Sequence, residues 1–140
     1  MFNTVLVGAD DSTTARRAVE AAAEIAHMSS GTLHIVSAYE SKVHSATAEG
    51  EFKGLASEGD VEALLQVLSF VAKKQGLEPV LHSAKGDPAD VVIKLAGDVG
   101  ADLVVVGNRG MKGVRRVLGS VPNSIAHGAA CSVLIVDTTE

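Results

Sequence analysis

The sequence predicts an α/β fold: three layers, with a doubly wound, five-stranded parallel sheet between helices. Three observations carry that prediction. Short apolar runs alternate with segments of helical period along the whole chain. Strands that alternate with helices imply parallel pairing, because each right-handed crossover needs a helix to return the chain to the same end of the sheet. The composition is 46% hydrophobic but only 3% aromatic, with no Trp and one Tyr. Its core must therefore be filled by Ala, Val, Leu and Ile, the usual contents of a sheet covered on both faces.

The elements follow in order. "TVLVGA" (4–9) is a short apolar strand. From Ser12 to Met28, Ala15, Ala18, Val19, Ala22, Ile25 and Ala26 recur at helical spacing, and Ser12 or Thr13 caps the start. "TLHIVSAY" (32–39) is the second strand. Residues 40–57 are small, polar and without a period, which reads as a flexible loop. Val61, Leu64, Leu65, Leu68, Val71 and Ala72 then mark a helix stopped by Gly76. "EPVLHSAKG" (78–86) is a weaker strand. Asp87-Pro88 places a capping carboxylate before a proline in a first helical turn, where the missing N–H costs nothing. That helix runs to about Val99, and "DLVVVG" (102–107) is the most hydrophobic strand. Ser120 opens a fourth helix with Pro122 in its first turn, and "SVLIVD" (132–137) is the last strand.

Neither internal repeats nor a linker interrupt the 140 residues, so the chain reads as one domain over 1–140. A domain of that length removes roughly 68–70% of its unfolded surface from water. No apolar run approaches the roughly 18 residues a membrane span needs, and "MFNTVLVGADDS" lacks a basic leader. Cys131 is the single cysteine, and no Cys/His spacing resembles a zinc site. These features predict a cytoplasmic protein without a membrane partner. A net charge of −5 argues against nucleic acid, since a duplex-binding face must be broadly positive.

Within this acidic chain, "VVVGNRGMKGVRRVLGS" (104–120) stands apart. A strand opens into a run holding Gly107, Gly110, Gly113 and Gly119 with Arg109, Lys112, Arg115 and Arg116, and Ser120 then begins a helix. Ligands of open α/β sheets sit beyond the carboxyl ends of the strands, where strand order reverses. Glycine at such an end admits a ligand close to the backbone. A helix N-terminus supplies free N–H groups and the positive end of a dipole. The combination points to a phosphate-binding segment; the alternatives are an ordinary strand-to-helix turn and, for the cations, a solvated face. G-x-x-x-x-G-K-[ST] is absent, and so is G-x-G-x-x-G. "VLVGADDS" resembles the opening of a phosphoryl-accepting receiver domain, but that chemistry needs an Asp ending the third strand and a Lys ending the fifth. Here those strands end "HSAKG" and "VDTTE".

The chain resembles the universal stress protein family, whose ATP-binding members carry G-x2-G-x9-G-[ST] after the fourth strand. Gly107-Asn108-Arg109-Gly110 and Gly119-Ser120 match the two ends of that motif, with eight residues between Gly110 and Gly119 where the family has nine. The likeness runs through "TVLVGADDS", "GDPADVV", "ADLVVVGNRG" and "GSVPNSIAHGAACSVLIV". It implies a Rossmann-like sheet of order 3-2-1-4-5, with the switch point between strands one and four. It also implies an ATP or other adenine-nucleotide site with a regulatory or stress-response role. Ala9, Asp10 and Ala38 would border adenine and ribose; Val106, Gly107 and Gly110 would line the nucleoside; Gly119, Ser120 and Val121 would hold phosphates; and Arg109, within the motif, is a further nucleotide-binding candidate. Asp10 would contact the nucleoside or a phosphate-bound Mg2+, or serve only as a turn-former, and Asp11 adds negative charge beside it. The resemblance further implies a homodimer through the last strand, over Val133, Leu134, Ile135 and Val136, whose edge would otherwise be unpaired.

No catalytic set is visible. The five histidines, His27, His34, His44, His82 and His127, are scattered, and Cys131 precedes an apolar strand as a small core side chain. Binding is the expected activity. The alternatives are slow ATP hydrolysis, with Asp10 and Asp11 near a Mg2+-bound nucleotide, and a dimeric interaction module with an empty nucleotide site.

Overall fold

The structure is a computed structural model that describes residues 2–10, 15–39, 57–108 and 120–138. Its elements run β1 (Thr4–Gly8), α1 (Ala15–Ser29), β2 (Thr32–Tyr39), α2 (Glu58–Lys73), β3 (Val80–Lys85), α3 (Pro88–Val99), β4 (Leu103–Gly107), α4 (Ser120–Gly128) and β5 (Ser132–Val136). The five strands form one parallel sheet in the order β3-β2-β1-β4-β5, the order the resemblance implied. β2 has the limits read from sequence, and the other strands are one to three residues shorter, losing Ala9, Glu78, Pro79, Gly86, Asp102 and Asp137 from their ends.

Alternation along each strand divides the core between two faces. Val5, Val7, Leu33, Ile35, Leu103 and Val105 point to one face, where α1 and α2 cover them. The α1 residues that do so are Ala18, Val19, Ala22, Ala23 and Ala26, all within 1% exposure. Such small side chains let the helix axis approach the sheet closely. Leu6, Val36, Val104 and Val106 point to the other face, against Ala89, Val92 and Ala96 of α3 and Ile125 of α4. The central strands β1, β2 and β4 are hydrophobic on both sides for this reason.

The helix ends show the local chemistry that sets them. Ser57, which the sequence places in the 40–57 loop, is the N-cap of α2. Its hydroxyl accepts from the Asp60 N–H at 3.2 Å, and the Asp60 carboxylate accepts from the Ser57 N–H at 3.3 Å. This capping box starts the helix three residues before its first buried apolar residue, Val61. Asp87 caps α3 by accepting from the Asp90 N–H at 3.2 Å, with Pro88 in the first turn as expected. Gly100 ends α3 in the left-handed region at φ 70, which a Cβ would disfavour. The proposed α1 caps, Ser12 and Thr13, and residues 40–56 lie outside the described residues.

One exposed carboxylate fixes the register at the middle of the sheet. Asp102, just before β4, accepts from the N–H groups of Asn3 at 2.9 Å and Thr4 at 3.0 Å, and its own N–H donates to the Thr4 carbonyl at 2.9 Å. The backbone donors of Thr4 and then Asn3 hold its carboxyl below the ordinary range.

Candidate functional site

In a parallel sheet all strands present their carboxyl ends on one side. β1 pairs with β2 on one edge and β4 on the other, so the chain winds outward in one direction from β1 to β3 and in the opposite direction from β4 to β5. The carboxyl ends of β1 and β4 therefore flank the crevice where ligands of such sheets sit.

The structure brings several of the expected residues to that crevice. Ala9 follows β1, partly exposed, with its N–H donating to the Val36 carbonyl at 2.9 Å. Asp10 is next and exposed. Ala38, on β2, is also partly exposed and lies in register with Ala84 of β3. The two face opposite sides of the sheet, Ala9 packing against the core under α1 and α2 and Ala38 against the core under α3 and α4. Gly107 closes β4, opposite Val136 of β5. Val106 is different: it is 4% exposed and packed into the second core face, which leaves its backbone as its means of contact with a ligand. Gly8, before Ala9, is tightly packed: an ideal Cβ would lie 3.0 Å from Val92 Cγ2, so a side chain there would require Val92 to shift.

On the other wall, α4 begins at Ser120 and leads directly into β5. Because β5 is parallel to the rest, α4 runs back along the sheet with its N-terminus toward the carboxyl ends of the strands. Val121 packs against the second core face. Arg109, Gly110 and Gly119 lie outside the described residues.

A polar cluster that sequence reasoning did not find joins the ends of β4 and β5. Asn108 is 6% exposed and Thr138 is 1% exposed. The Asn108 N–H donates to the Val136 carbonyl at 3.0 Å. Its Oδ1 accepts from the Thr138 N–H at 2.8 Å and from the Thr138 hydroxyl at 3.0 Å, while its Nδ2 donates to Asp137 Oδ1 at 3.2 Å. A polar residue buried just past an apolar strand was the available signal, since such a group must find partners.

Away from the crevice, His34 and His82 meet across β2 and β3, with Nδ1 of His34 2.9 Å from Nε2 of His82. Their ring centroids are 5.1 Å apart and the planes differ by 19°. A centroid separation that much longer than the nitrogen–nitrogen distance means the rings meet end to end through an N–H···N bond, not face to face. Burial lowers the pKa of both, and His82 lowers that of His34 further. Burial and then the Asp102 charge push the Cys131 thiol up, which leaves little thiolate at neutral pH. Among the described residues, no group of three or more His, Cys, Asp or Glu is arranged to hold a metal ion, and no helix is long and apolar enough to cross a membrane.

Known proteins share this fold. A universal stress protein of Mycobacterium tuberculosis is 35% identical over 99% of this chain and 98% of its own length. A universal stress protein solved in complex with cAMP is likewise 35% identical, with a TM-score of 0.80 and 99% of each chain covered. One from Archaeoglobus fulgidus, solved in complex with dAMP, is 20% identical at a TM-score of 0.71 over 96% of this chain and 97% of its own, a likeness of fold. The model of the Universal stress protein family matches residues 1–137. With that match spanning all but the last three residues, and a relative a third identical from end to end, the chain belongs to the universal stress protein family.

Proposed function

We propose that this protein binds an adenine nucleotide in the crevice between the carboxyl ends of β1 and β4, and that its role is regulatory rather than catalytic. The observation that carries the reading is the reversal of strand order at that point, with Ala9, Asp10, Ala38 and Gly107 gathered around it. The ligand class is supported by the cAMP complex of a relative 35% identical over nearly the whole chain.

The residues fit such a ligand. Ala9 and Ala38 would border a flat base and its ribose, as the resemblance implies. The α4 N-terminus, with Ser120 and Val121, would take phosphate through its free N–H groups and dipole. Gly110 and Gly119, by their place in the motif, would admit the phosphates, and Arg109 would add positive charge. ATP is the nucleotide this motif favours. Asp10 is the carboxylate placed to share a Mg2+ that arrives with the phosphates. The same reading includes a homodimer paired through β5, with Val133, Leu134, Ile135 and Val136 at the interface.

Isothermal titration with ATP, AMP and cAMP, with and without Mg2+, tests the reading. At about 100 times its dissociation constant, a bound nucleotide stabilises the fold by about 2.7 kcal/mol, which a melting curve resolves as a shift of several degrees. Gly119→Val, whose side chain would occupy the space a phosphate needs, should lose binding while keeping its far-UV spectrum. Absence of heat and of any melting shift with all three nucleotides would refute the proposal.

A further inference from the structure

The cluster at the ends of β4 and β5 explains why residue 107 is glycine. Asn108 commits its N–H to Val136, its Oδ1 to the N–H and hydroxyl of Thr138 and one Nδ2–H to Asp137, so most of its polar capacity is spent on holding β5 and Thr138. Thr138 is held in turn at its N–H and its hydroxyl. Its methyl then lies over Gly107: an ideal Cβ there would fall 3.0 Å from Thr138 Cγ2 and 3.5 Å from Oγ1. A side chain that is 1% exposed and fastened at two points cannot yield the few tenths of an ångström a methyl group would demand. The space expected from sequence to receive a ligand is occupied by Thr138.

We infer that Thr138, held by Asn108, is a positioning residue of the nucleotide site, and that the glycine at 107 serves its contact with Thr138 rather than close approach of the ligand. This rests on the nucleotide reading above. Glycine is the most conformationally free residue, and it sits where the chain leaves β4 at the mouth of the crevice. The Thr138 methyl and the Asn108 hydrogen bonds remove that freedom. The peptide groups bordering the site are thereby set before a ligand arrives, and their ordering does not have to be met on binding.

A double-mutant cycle on the full chain tests the inference, using Gly107→Ala, Thr138→Ser and the double variant with the parent. The serine keeps a hydroxyl for Asn108 and lacks the methyl, so the alanine Cβ would face only atoms at ordinary contact distance. Isothermal titration with ATP and cAMP should show Gly107→Ala weakening affinity about tenfold in the parent, and less than about threefold in the Thr138→Ser background. An equal penalty in both backgrounds would mean that the ligand needs the space, and no penalty in the parent would mean that the contact sets nothing; either result overturns the inference. Ligand-free melting curves complete the cycle: relief of a lowered melting temperature without relief of affinity would make Thr138 a packing residue only, and also overturns it. If the parent binds neither nucleotide, the proposed function fails and this inference with it. If the parent binds and the penalty is not relieved, this inference fails alone.

Discussion

At the scale of single residues, the His34–His82 contact makes a stability switch that runs with pH. In the folded chain both imidazoles sit below their ordinary value of 6.5, through burial and, for His34, the charge His82 would carry. As pH falls, the unfolded chain therefore takes up protons first. The pair's contribution to stability is complete above pH 6.5 and is lost as pH drops through the lower folded-state values. The melting temperature should fall between about pH 7.5 and 5, and fall less steeply in the double variant His34→Gln/His82→Gln. Identical slopes for parent and variant would show that the pair contributes nothing to the dependence. Nothing in the sequence links two histidines 48 positions apart. Their meeting follows from the register that sets Val36 opposite His82, and register is set by the whole sheet. Asn108 and Thr138 escaped notice for the same reason: each side chain finds its partner on a strand end some 30 residues away. That Asp10 and Gly107 fall at the carboxyl ends of strands was legible from where apolar runs stop, whereas Ala9 and Ala38 were named by the resemblance alone.

At the scale of elements, one local cap was read from sequence and another was missed. Asp87-Pro88 announced α3, and "SEGD" carried the α2 capping box, although an aperiodic stretch before it concealed the signal. The edge strand β5 raises a question of direction. The Asn108 N–H donates to the Val136 carbonyl, so the polar groups of Val136 face β4. Backbone groups alternate sides along a strand, and the N–H groups of Val133 and Ile135 consequently face outward, away from β4. Leu134 is 37% exposed, a large apolar side chain on that open strand. Ile135→Pro removes an outward donor without removing a bond to β4, and proline is tolerated on edge strands. In the proposed homodimer this variant should sediment as a monomer with an unchanged far-UV spectrum. A folded proline variant that remains dimeric would place the interface elsewhere.

At the scale of the whole molecule, the fold class was written plainly in the alternation of periods, because the central strands β1, β2 and β4 are apolar on both faces and the helices between strands on one. Strand order was not, since apolar runs of similar composition carry no mark of which neighbour they choose; the resemblance supplied it. That order has a consequence for synthesis. The chain emerges from its N-terminus, so β1, α1, β2, α2 and β3 are complete while β4 is still unmade. Throughout that interval, the edge of β1 destined for β4 has no strand to pair with, although β1 finally lies at the centre of the sheet. Val5, Leu6 and Val7, all fully buried in the finished fold, await partners almost a hundred residues later in the chain. The Asn3 and Thr4 N–H groups likewise wait for Asp102, whose carboxylate guides the late strand to its register. A nascent chain halted after residue 101 should therefore associate through β1 and sediment as oligomers of mixed size, whereas one extended through residue 138 should associate no further than the proposed β5 dimer. Ribosome pausing between those two lengths would be the most hazardous moment in the life of this protein.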